Sequence, residues 1–344
     1  MENGAIIVIG ATSESRDDEG SLGIGRVECV EVVGRSSLER MVERFDAIGA
    51  ETISILVNSK DCPSLQPFRE NHADVSVQIN NDLQSALKGR LATYSEQGIR
   101  NSFVSWGSAY VETDLLDLLC FHQESKQVVT PTLSSEGPLP LWVVDCFAAS
   151  QSPLANCLQH SEQASSRYFV REYASCLEGP RDLRRFAADI LTRRCKTHPS
   201  GQQVRPGVWI DQGADVHRRA RIVAPAYIGC DSRIKADALI TRLSNVERDC
   251  LIESGTVIED SSILDNTSVG ICLDVCHSVA SGNRLLNLER DVVVEILDSR
   301  VMRSSIDSRN SLSMESEDLQ PMLDLPVSAP VPDTLATGEY LTQE

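Results

Sequence analysis

The sequence predicts an α/β domain with a Rossmann-like mixed sheet, followed by a left-handed parallel β-helix. Through about residue 150, short apolar strands alternate with amphipathic helices, which is typical of a mostly parallel sheet covered by helices. From residue 210 to residue 264, an aliphatic side chain stands at every sixth position, a period that neither an α-helix nor an ordinary strand has. We therefore predict three parts: the α/β domain at 1–200, the β-helix at 204–300 and an acidic tail at 304–344.

The elements of the first domain are predicted from apolar runs and from apolar residues at helical spacing. Residues 5–9 are aliphatic and carry no charge, which indicates a buried strand. Further strands are predicted at 52–57, 75–79, 103–106, 128–133 and 141–144, and helices at 38–48, 82–97, 115–122 and 181–194. We expect the last of these helices to bridge the α/β domain and the β-helix.

Two interlocking patterns of period six predict the β-helix. The first is the aliphatic series Ile210, Val216, Ile222, Ile228, Ile234, Ile240, Val246, Ile252, Ile258 and Leu264. Small residues such as Ala220, Ser232 and Thr256 stand two places before members of that series. Three flat segments joined by tight corners then give a triangular coil of roughly 18 residues, with the aliphatic side chains stacked inside. After Leu264 the spacing changes, so we expect the last coil to end there, with a projecting loop at 274–287 and a closing strand at 292–296.

Composition and charge limit the partners and the compartment. The formal net charge of -18 excludes nucleic acid as the main partner, because binding to nucleic acid needs clustered Lys and Arg. No apolar run approaches the roughly 20 residues that cross a bilayer, so we expect no membrane insertion. Without a charged-then-apolar leader, the chain is expected to be cytoplasmic. The tail is rich in Ser, Pro, Asp and Glu, which predicts disorder.

The domain order resembles that of the sugar-1-phosphate nucleotidyltransferases, particularly mannose-1-phosphate guanylyltransferase-like proteins. Residues 37–45 look like the helix after that family's signature loop, and residues 114–122 look like the helix after its metal-binding strand. Gly-Val-Trp-Ile at 207–210 and Ala-Pro-Ala-Tyr-Ile-Gly at 224–229 resemble the entry of its β-helix. The resemblance implies that a sugar 1-phosphate attacks a nucleoside triphosphate and releases pyrophosphate, with Mg²⁺ as the cofactor of an active enzyme.

The resemblance also assigns candidate nucleotide-binding residues: Gly10, Ala11, Thr12 and Arg16 in the loop after the first strand, and Gly107 and Ser108 at the metal-binding strand. Several of these positions depart from the family. A Cβ at Ala11 crowds the backbone approach to a phosphate, and four acidic residues between 14 and 19 repel it. The family's Pro-Lys-Pro is missing, and Ser108 stands where the family has a metal-binding aspartate. We therefore predict an impaired site without an assigned catalytic residue, in which Gly10, Gly107 and Asp114 serve as turn and cap residues.

A second candidate site lies in the predicted 274–287 loop, where His277, Asn283 and Arg284 fall together. Loops on a rigid scaffold are where recognition is usually placed. Cys272, Cys276 and His277 offer two sulfurs and an imidazole, but a fourth ligand is missing, so no metal site is predicted.

Four functions remain open at this point. The favoured one is a catalytically impaired nucleotidyltransferase-like protein of nucleotide-sugar or polysaccharide metabolism, which binds a nucleotide sugar or, through the β-helix, a partner enzyme. The second is an active sugar-1-phosphate nucleotidyltransferase. The third is a hexapeptide-repeat acyltransferase with His217 or His277 as general base. The fourth is a structural assembly module, and a homo-oligomer formed through the β-helix is expected.

Overall fold

The computed structural model describes residues 3–10, 22–60, 65, 68, 75–107, 109–151 and 166–305. By its contacts, the chain divides into two compact units, Met1–Ile306 and Asp307–Glu344. All described residues belong to the first unit. The predicted acidic tail therefore lies outside the described residues, apart from Ser304 and Ser305.

The first 200 residues form strands and helices in alternation. The strands are β1 (Asn3–Ile9), β2 (Glu31–Val32), β3 (Arg35–Ser36), β4 (Thr52–Val57), β5 (Ser76–Ile79), β6 (Asn101–Trp106), β7 (Ala109–Val111), β8 (Val129–Ser134), β9 (Gly137–Asp145), β10 (Tyr168–Phe169) and β11 (Ala174–Cys176). The helices are α1 (Ser37–Ala47), α2 (Leu83–Glu96), α3 (Leu115–Ser125), α4 (Cys146–Gln151) and α5 (Pro180–Leu191), with a short 3₁₀ turn at Val27–Cys29.

A seven-stranded sheet with the order β10-β8-β9-β6-β1-β4-β5 forms the centre of this region. β1 runs parallel to both β4 and β6, whereas β9 runs antiparallel to β6 and β8. Every residue of β1 is buried, because helices cover the sheet on both sides. Ile7 packs in the cluster that contains Phe45 of α1, and Val8 packs in the cluster that contains Leu87 of α2. The prediction of a mixed, parallel-rich α/β fold is confirmed.

Local capping explains where two of the predicted helices begin. Ser36 and Glu39 form a reciprocal capping box at the start of α1. The carboxylate of Asp114 accepts hydrogen bonds from the N–H groups of Leu116 and Asp117 at the start of α3. Asp114 is therefore a helix cap, as predicted from the sequence.

The remaining described chain forms short strands that stack in coils. They are β12 (Gln202–Arg205), β13 (Val208–Ile210), β14 (Asp215–Val216), β15 (Arg221–Ile222), β16 (Ala226–Ile228), β17 (Arg233–Ile234), β18 (Leu239–Thr241), β19 (Ser244–Val246), β20 (Leu251–Ile252), β21 (Val257–Glu259), β22 (Ser262–Ile263), β23 (Thr267–Val269), β24 (Asp274–Cys276), β25 (Ser278–Ser281), β26 (Arg284–Asn287), β27 (Val292–Glu295) and β28 (Met302–Ser304).

These strands form three sheets, which we call the three faces of the repeat region. The first face has the order β12-β13-β16-β19-β22-β25-β26-β27, the second β14-β17-β20-β23-β28 and the third β15-β18-β21-β24. From β13 to β24 the pairs within each face are parallel. Ile210 pairs with Ile228, and Ile228 with Val246, so one coil takes 18 residues. The aliphatic residues of all three faces meet in one buried cluster.

The predicted interior series is correct up to Ile258 and wrong at Leu264. The coil loses one residue before β22, so that Ile263 pairs with Val246 and enters the interior instead. Leu264 points out of the coil and packs with Leu22 of the α/β region. A strict period of six could not show this shift, because Ile263 and Leu264 are adjacent and both are aliphatic.

The predicted projecting loop at 274–287 is also wrong. β24 completes the third face, and β25 and β26 pair antiparallel as a hairpin whose turn contains Gly282, at a φ of 57°. The physical reason is that the last coil exposes unpaired backbone groups, which an antiparallel strand satisfies. β27 continues the first face, and β28 covers the end of the second.

The stacking of the coils leads to a test of which side chains face inward. In Ile234→Asp an unpaired carboxylate enters the apolar interior, where Ile234 is 1 % exposed. We expect the free energy of unfolding to fall by about 4 kcal/mol or more. Arg233→Asp alters the exposed neighbour on the same strand and should change it by less than about 1 kcal/mol. Circular dichroism melts and urea titrations of both variants make the comparison, and coincident curves would refute the inward assignment.

Candidate functional site

The sheet of the α/β region changes its winding direction between two neighbouring strands. β1 leads through α1 to β4 and β5 on one side, and the chain then returns through α2 to β6 on the other side of β1. In open α/β sheets, ligands bind outside the carboxyl ends of the strands at such a switch point. We call the edge between the ends of β1 and β6 the switch-point crevice.

Gly10 and Gly107, two of the predicted nucleotide-binding residues, lie at this crevice. The Gly107 N–H donates to the Val8 carbonyl at 2.8 Å, and the Trp106 indole N–H donates to the Gly10 carbonyl at 3.2 Å. Gly107 has a φ of 75°, which favours glycine, and a side chain at Gly10 would collide with Leu83. The structure therefore brings Gly10 and Gly107 together. The other four predicted residues, Ala11, Thr12, Arg16 and Ser108, lie outside the described residues.

An acidic residue that the sequence analysis missed lies beside the crevice. Glu28 belongs to the 3₁₀ turn before the β2–β3 hairpin and is buried. A Cβ on Gly107 would be 3.9 Å from Glu28 Oε1. No motif signals this position, since Glu28 reaches the sheet edge only through tertiary packing. A carboxylate here disfavours a phosphate and favours hydroxyl or amide donors.

A second polar cluster lies on the corner of the repeat region, between its third and first faces. Asp260 Oδ2 is 2.7 Å from His277 Nδ1, and Asp260 Oδ1 is 2.5 Å from Arg184 Nη2 of α5. His277 Nε2 is 3.6 Å from Glu289 Oε1. Burial lowers the pKa of Arg184, and the charge of Asp260 opposes that shift. We call these four residues the corner cluster.

The corner cluster has two chemical consequences. Asp260 accepts from Nδ1 and holds the imidazole in one orientation, which leaves Nε2 as the nitrogen able to exchange a proton with a bound group. Asp260 also neutralises the buried guanidinium and so fastens α5 to the repeat region. Sequence reasoning selected His277 but missed Asp260 and Arg184. The available signal was the separation of 17 residues between Asp260 and His277, which is the length of the coil shortened by one residue.

The three residues of the predicted loop site do not meet. His277 precedes the Ser278–Asn287 end of the β25–β26 hairpin, whereas Asn283 and Arg284 lie at the opposite end, where Arg284 pairs with Ser281. Extended strands rise about 3.3 Å per residue, which separates the two ends by the length of the hairpin. Arg284 Nη2 instead lies 3.8 Å from Glu295 Oε2. The prediction of one loop site is therefore corrected to a histidine at a coil corner and a separate hairpin turn.

The side chain of His217, the other candidate base, makes a local contact. Its Nδ1 accepts from the Arg219 N–H at 3.1 Å, and the residue is exposed. Within the described ranges, no group of three or more His, Cys, Asp or Glu side chains is arranged to hold a metal ion. The described helices include none that is long and apolar enough to cross a membrane.

Neither a scan against protein-family models nor a search of curated proteins found a match to this chain.

The corner cluster can be tested through its contribution to stability. In Asp260→Asn the buried Arg184 loses its counter-charge and His277 loses its acceptor, so we expect a loss of about 2 kcal/mol, reduced from the value for a fully buried pair because Asp260 is 39 % exposed. Asp237→Asn breaks an exposed ion pair with Arg219 and should leave stability unchanged. Urea denaturation at pH 7 measures both. Equal stability of the two variants would show that Asp260 does not fasten α5.

Proposed function

We propose that this chain is a nucleotidyltransferase-like protein that binds a nucleotide sugar at the switch-point crevice without catalysing nucleotidyl transfer. The observation that carries the proposal is the meeting of Gly10 and Gly107 at the ends of adjacent parallel strands. Both positions were assigned to nucleotide binding from the sequence alone. The proposal includes a Rossmann-like α/β domain over residues 1–200 and a left-handed parallel β-helix over 204–300.

Loss of catalysis is supported by Glu28 at this edge and by the missing metal ligand. Catalysis of nucleotidyl transfer needs positive charge on the triphosphate and carboxylates that hold Mg²⁺. Ser108 replaces the expected aspartate, and Glu28 lies beside Gly107. The residues present do not fit the family's Mg²⁺ site, so no catalytic step through the metal is derived. Glu28 instead accepts hydroxyl donors of the sugar.

The repeat region supplies the assembly part of the proposal. Its first face is covered by the α/β region, because Tyr227 packs in the core of that region and Val279 packs with Leu22. The outward residues of the other faces, such as Arg221 and Arg233, are exposed. A partner enzyme or a second copy therefore binds on the second or third face, in a cytoplasmic protein of nucleotide-sugar or polysaccharide metabolism.

A second candidate function, acyl transfer, is favoured by one observation, the 2.7 Å contact between Asp260 and His277. An oriented imidazole is the usual general base for such a reaction. In this case acyl-CoA would bind along the repeat region, and His277→Gln would abolish transfer while nucleotide-sugar binding stayed intact. Turnover of acyl-CoA with sugar acceptors, in the wild-type chain and in His277→Gln, separates this alternative from the crevice proposal.

Nucleotide-sugar binding is tested by thermal shift with GDP-mannose, UDP-glucose, nucleoside triphosphates with Mg²⁺, and acyl-CoA. A ligand that binds only the folded state at 100 times its Kd stabilises it by about 2.7 kcal/mol. We expect a rise in melting temperature with a nucleotide sugar and no pyrophosphorolysis. Glu28→Gln replaces the charged acceptor of the sugar hydroxyls by a neutral one and should weaken binding by about 1 kcal/mol, or roughly fivefold.

Glu96→Gln is the matched control, because Glu96 is an exposed residue at the end of α2. Its affinity should equal that of the wild-type chain. Pyrophosphorolysis above a heat-killed control that EDTA abolishes would overturn the catalytic part of the proposal. Absence of a melting shift with every nucleotide and nucleotide sugar would overturn the binding part.

A further inference from the structure

One short hairpin connects the repeat region to the switch-point crevice. The geometry points to Glu247, the residue directly after β19, as a positioning residue for the β2–β3 hairpin. Through this hairpin it also positions the turn that contains Glu28 at the crevice, and the strength of its hold depends on pH. The ligand part of this inference rests on the proposed nucleotide-sugar binding, whereas the contact between Glu247 and the hairpin does not.

The Glu247 carboxylate binds two consecutive backbone N–H groups of the hairpin turn. Val33 N donates to Oε1 at 2.8 Å, and Gly34 N donates to Oε2 at 3.0 Å. The Asn245 side-chain amide also donates to Oε1, at 2.6 Å. Glu247 is 0 % exposed, so these bonds form away from water. A carboxylate of the repeat region thus fixes a turn more than 200 residues earlier in the chain.

The bound turn has a conformation that its sequence does not favour. Val33 and Gly34 have φ values of 48° and 88°, as in two-residue hairpin turns. Gly34 adopts this region freely, but a β-branched residue such as Val33 is strained there. The hairpin keeps this geometry because its surroundings hold it: Val33 is fully buried, and Ser200 N donates to the Val33 carbonyl at 3.1 Å. A strained turn moves when its anchoring contact weakens.

The hairpin lies between the crevice and α1, so its position determines where the Glu28 turn and the start of α1 lie. It follows directly on the 3₁₀ turn that contains Glu28, and Ser37 Oγ donates back to the Glu28 carbonyl at 3.3 Å. Arg40 of α1 donates to the Val32 carbonyl at 2.7 Å. These contacts all lie within a few residues of the Val33–Gly34 turn, and they connect Glu28 to Glu247.

Titratable groups from both regions surround this contact. Glu31 and the α1 residues Glu39 and Arg40 approach from the α/β region, and Arg248, Asp265 and Tyr227 approach with Glu247 from the repeat region. Arg248 Nε lies 3.1 Å from Glu31 Oε1. Burial is the main cause that raises the pKa of Glu247 to about 7. Burial also raises the pKa of Glu31 to about 8, a shift that Arg248 opposes and Glu247 reinforces.

These pKa shifts determine the direction of the pH response. A carboxyl group whose pKa is raised in the folded state binds protons that the unfolded chain has released, so folding becomes less favourable as pH rises. The contribution is fully present below about 4.5 and is lost as pH rises through about 7 for Glu247 and about 8 for Glu31. At pH 6, below both raised pKa values, more of this contribution remains than at pH 8.5. At pH 8.5 both carboxyl groups are ionised, and the desolvation of their buried charges outweighs the hydrogen bonds from Val33 and Gly34 that favour the ionised form of Glu247, so the hairpin loosens.

Hydrogen–deuterium exchange of the full chain tests the inference, with peptides covering residues 22–36 followed at pH 6 and pH 8.5. After correction for intrinsic exchange, we expect protection in the wild-type chain to fall on the order of tenfold at the higher pH, the effect of about one pKa unit. Glu247→Gln removes one of the two titrating carboxyl groups and should reduce the pH dependence of protection, leaving the part due to Glu31. Asp237→Asn, on a distant exposed corner, should behave like the wild-type chain.

Two further arms keep the test decisive. Glu31→Gln alters a less buried carboxyl group at the same contact and should halve the pH response. It replaces Glu247→Gln in the test if that variant proves unstable. Titration of GDP-mannose should give an affinity that falls with pH in the wild-type chain and falls less steeply in Glu247→Gln. If no nucleotide sugar binds, the proposed function fails while the exchange data still decide on the contact. A wild-type pH dependence of exchange in both Gln variants would overturn the inference.

Discussion

The stacking of one coil on the next is the constraint on which the repeat region depends. Many of its strands have only two or three residues, such as Arg233–Ile234, and no such strand is stable alone. Each strand is completed by its neighbour one coil away, and the interior is filled by aliphatic side chains in register. The interior is lined by aliphatic side chains and by a few small hydroxyl side chains, such as Ser232 and Ser244, that bond to the backbone. An unpaired charge there would be costly.

This constraint determines where the α/β region can pack. Along the first face, Trp209, Tyr227, Asn245, Ser262 and Val279 follow one another at outward positions. The α/β region buries this row, which turns an outer surface into an interface. Polar members of the row must then find partners: Ser262 donates to Asn245, and Asn245 donates to Glu247. The chain of hydrogen bonds ends at the strained hairpin turn.

Much of this arrangement could be predicted from the sequence, for physical reasons that also explain the errors. Periodicity located six strands of the central sheet, the helices α1, α2, α3 and α5, and the interior from Ile210 to Ile258, because side-chain direction repeats with the backbone. It missed the short strands β2, β3, β7, β10 and β11 and the short helix α4. It failed at Leu264, where the coil shortens by one residue and an equally apolar neighbour takes the interior position. It failed again at 274–287, because an unpaired edge at the end of a coil is visible only once the coil exists.

The residues of the candidate sites also divide into those that the sequence could predict and those that it could not. Gly10 and Gly107 were predictable, since each ends an apolar strand of a parallel sheet and such ends meet at one edge. Asp260 and Glu28 were not, because neither belongs to a motif. Asp260 reaches His277 through stacking, and Glu28 reaches Gly107 through packing of a segment with little regular structure.

The buried carboxylates at the junction are costly for a contact that serves stability alone, since an apolar pair of similar size is usually at least as stabilising. Glu247 is instead matched to the two backbone N–H groups of one turn, a geometry that an apolar side chain cannot satisfy. Its oxygens therefore specify where the hairpin sits. The repeat region contributes no described residue to the switch-point crevice, yet it determines the position of the segment that places Glu28 there. A change in the charge or assembly of the repeat region consequently reaches the crevice through this contact and through the ion pair between Arg248 and Glu31 beside it.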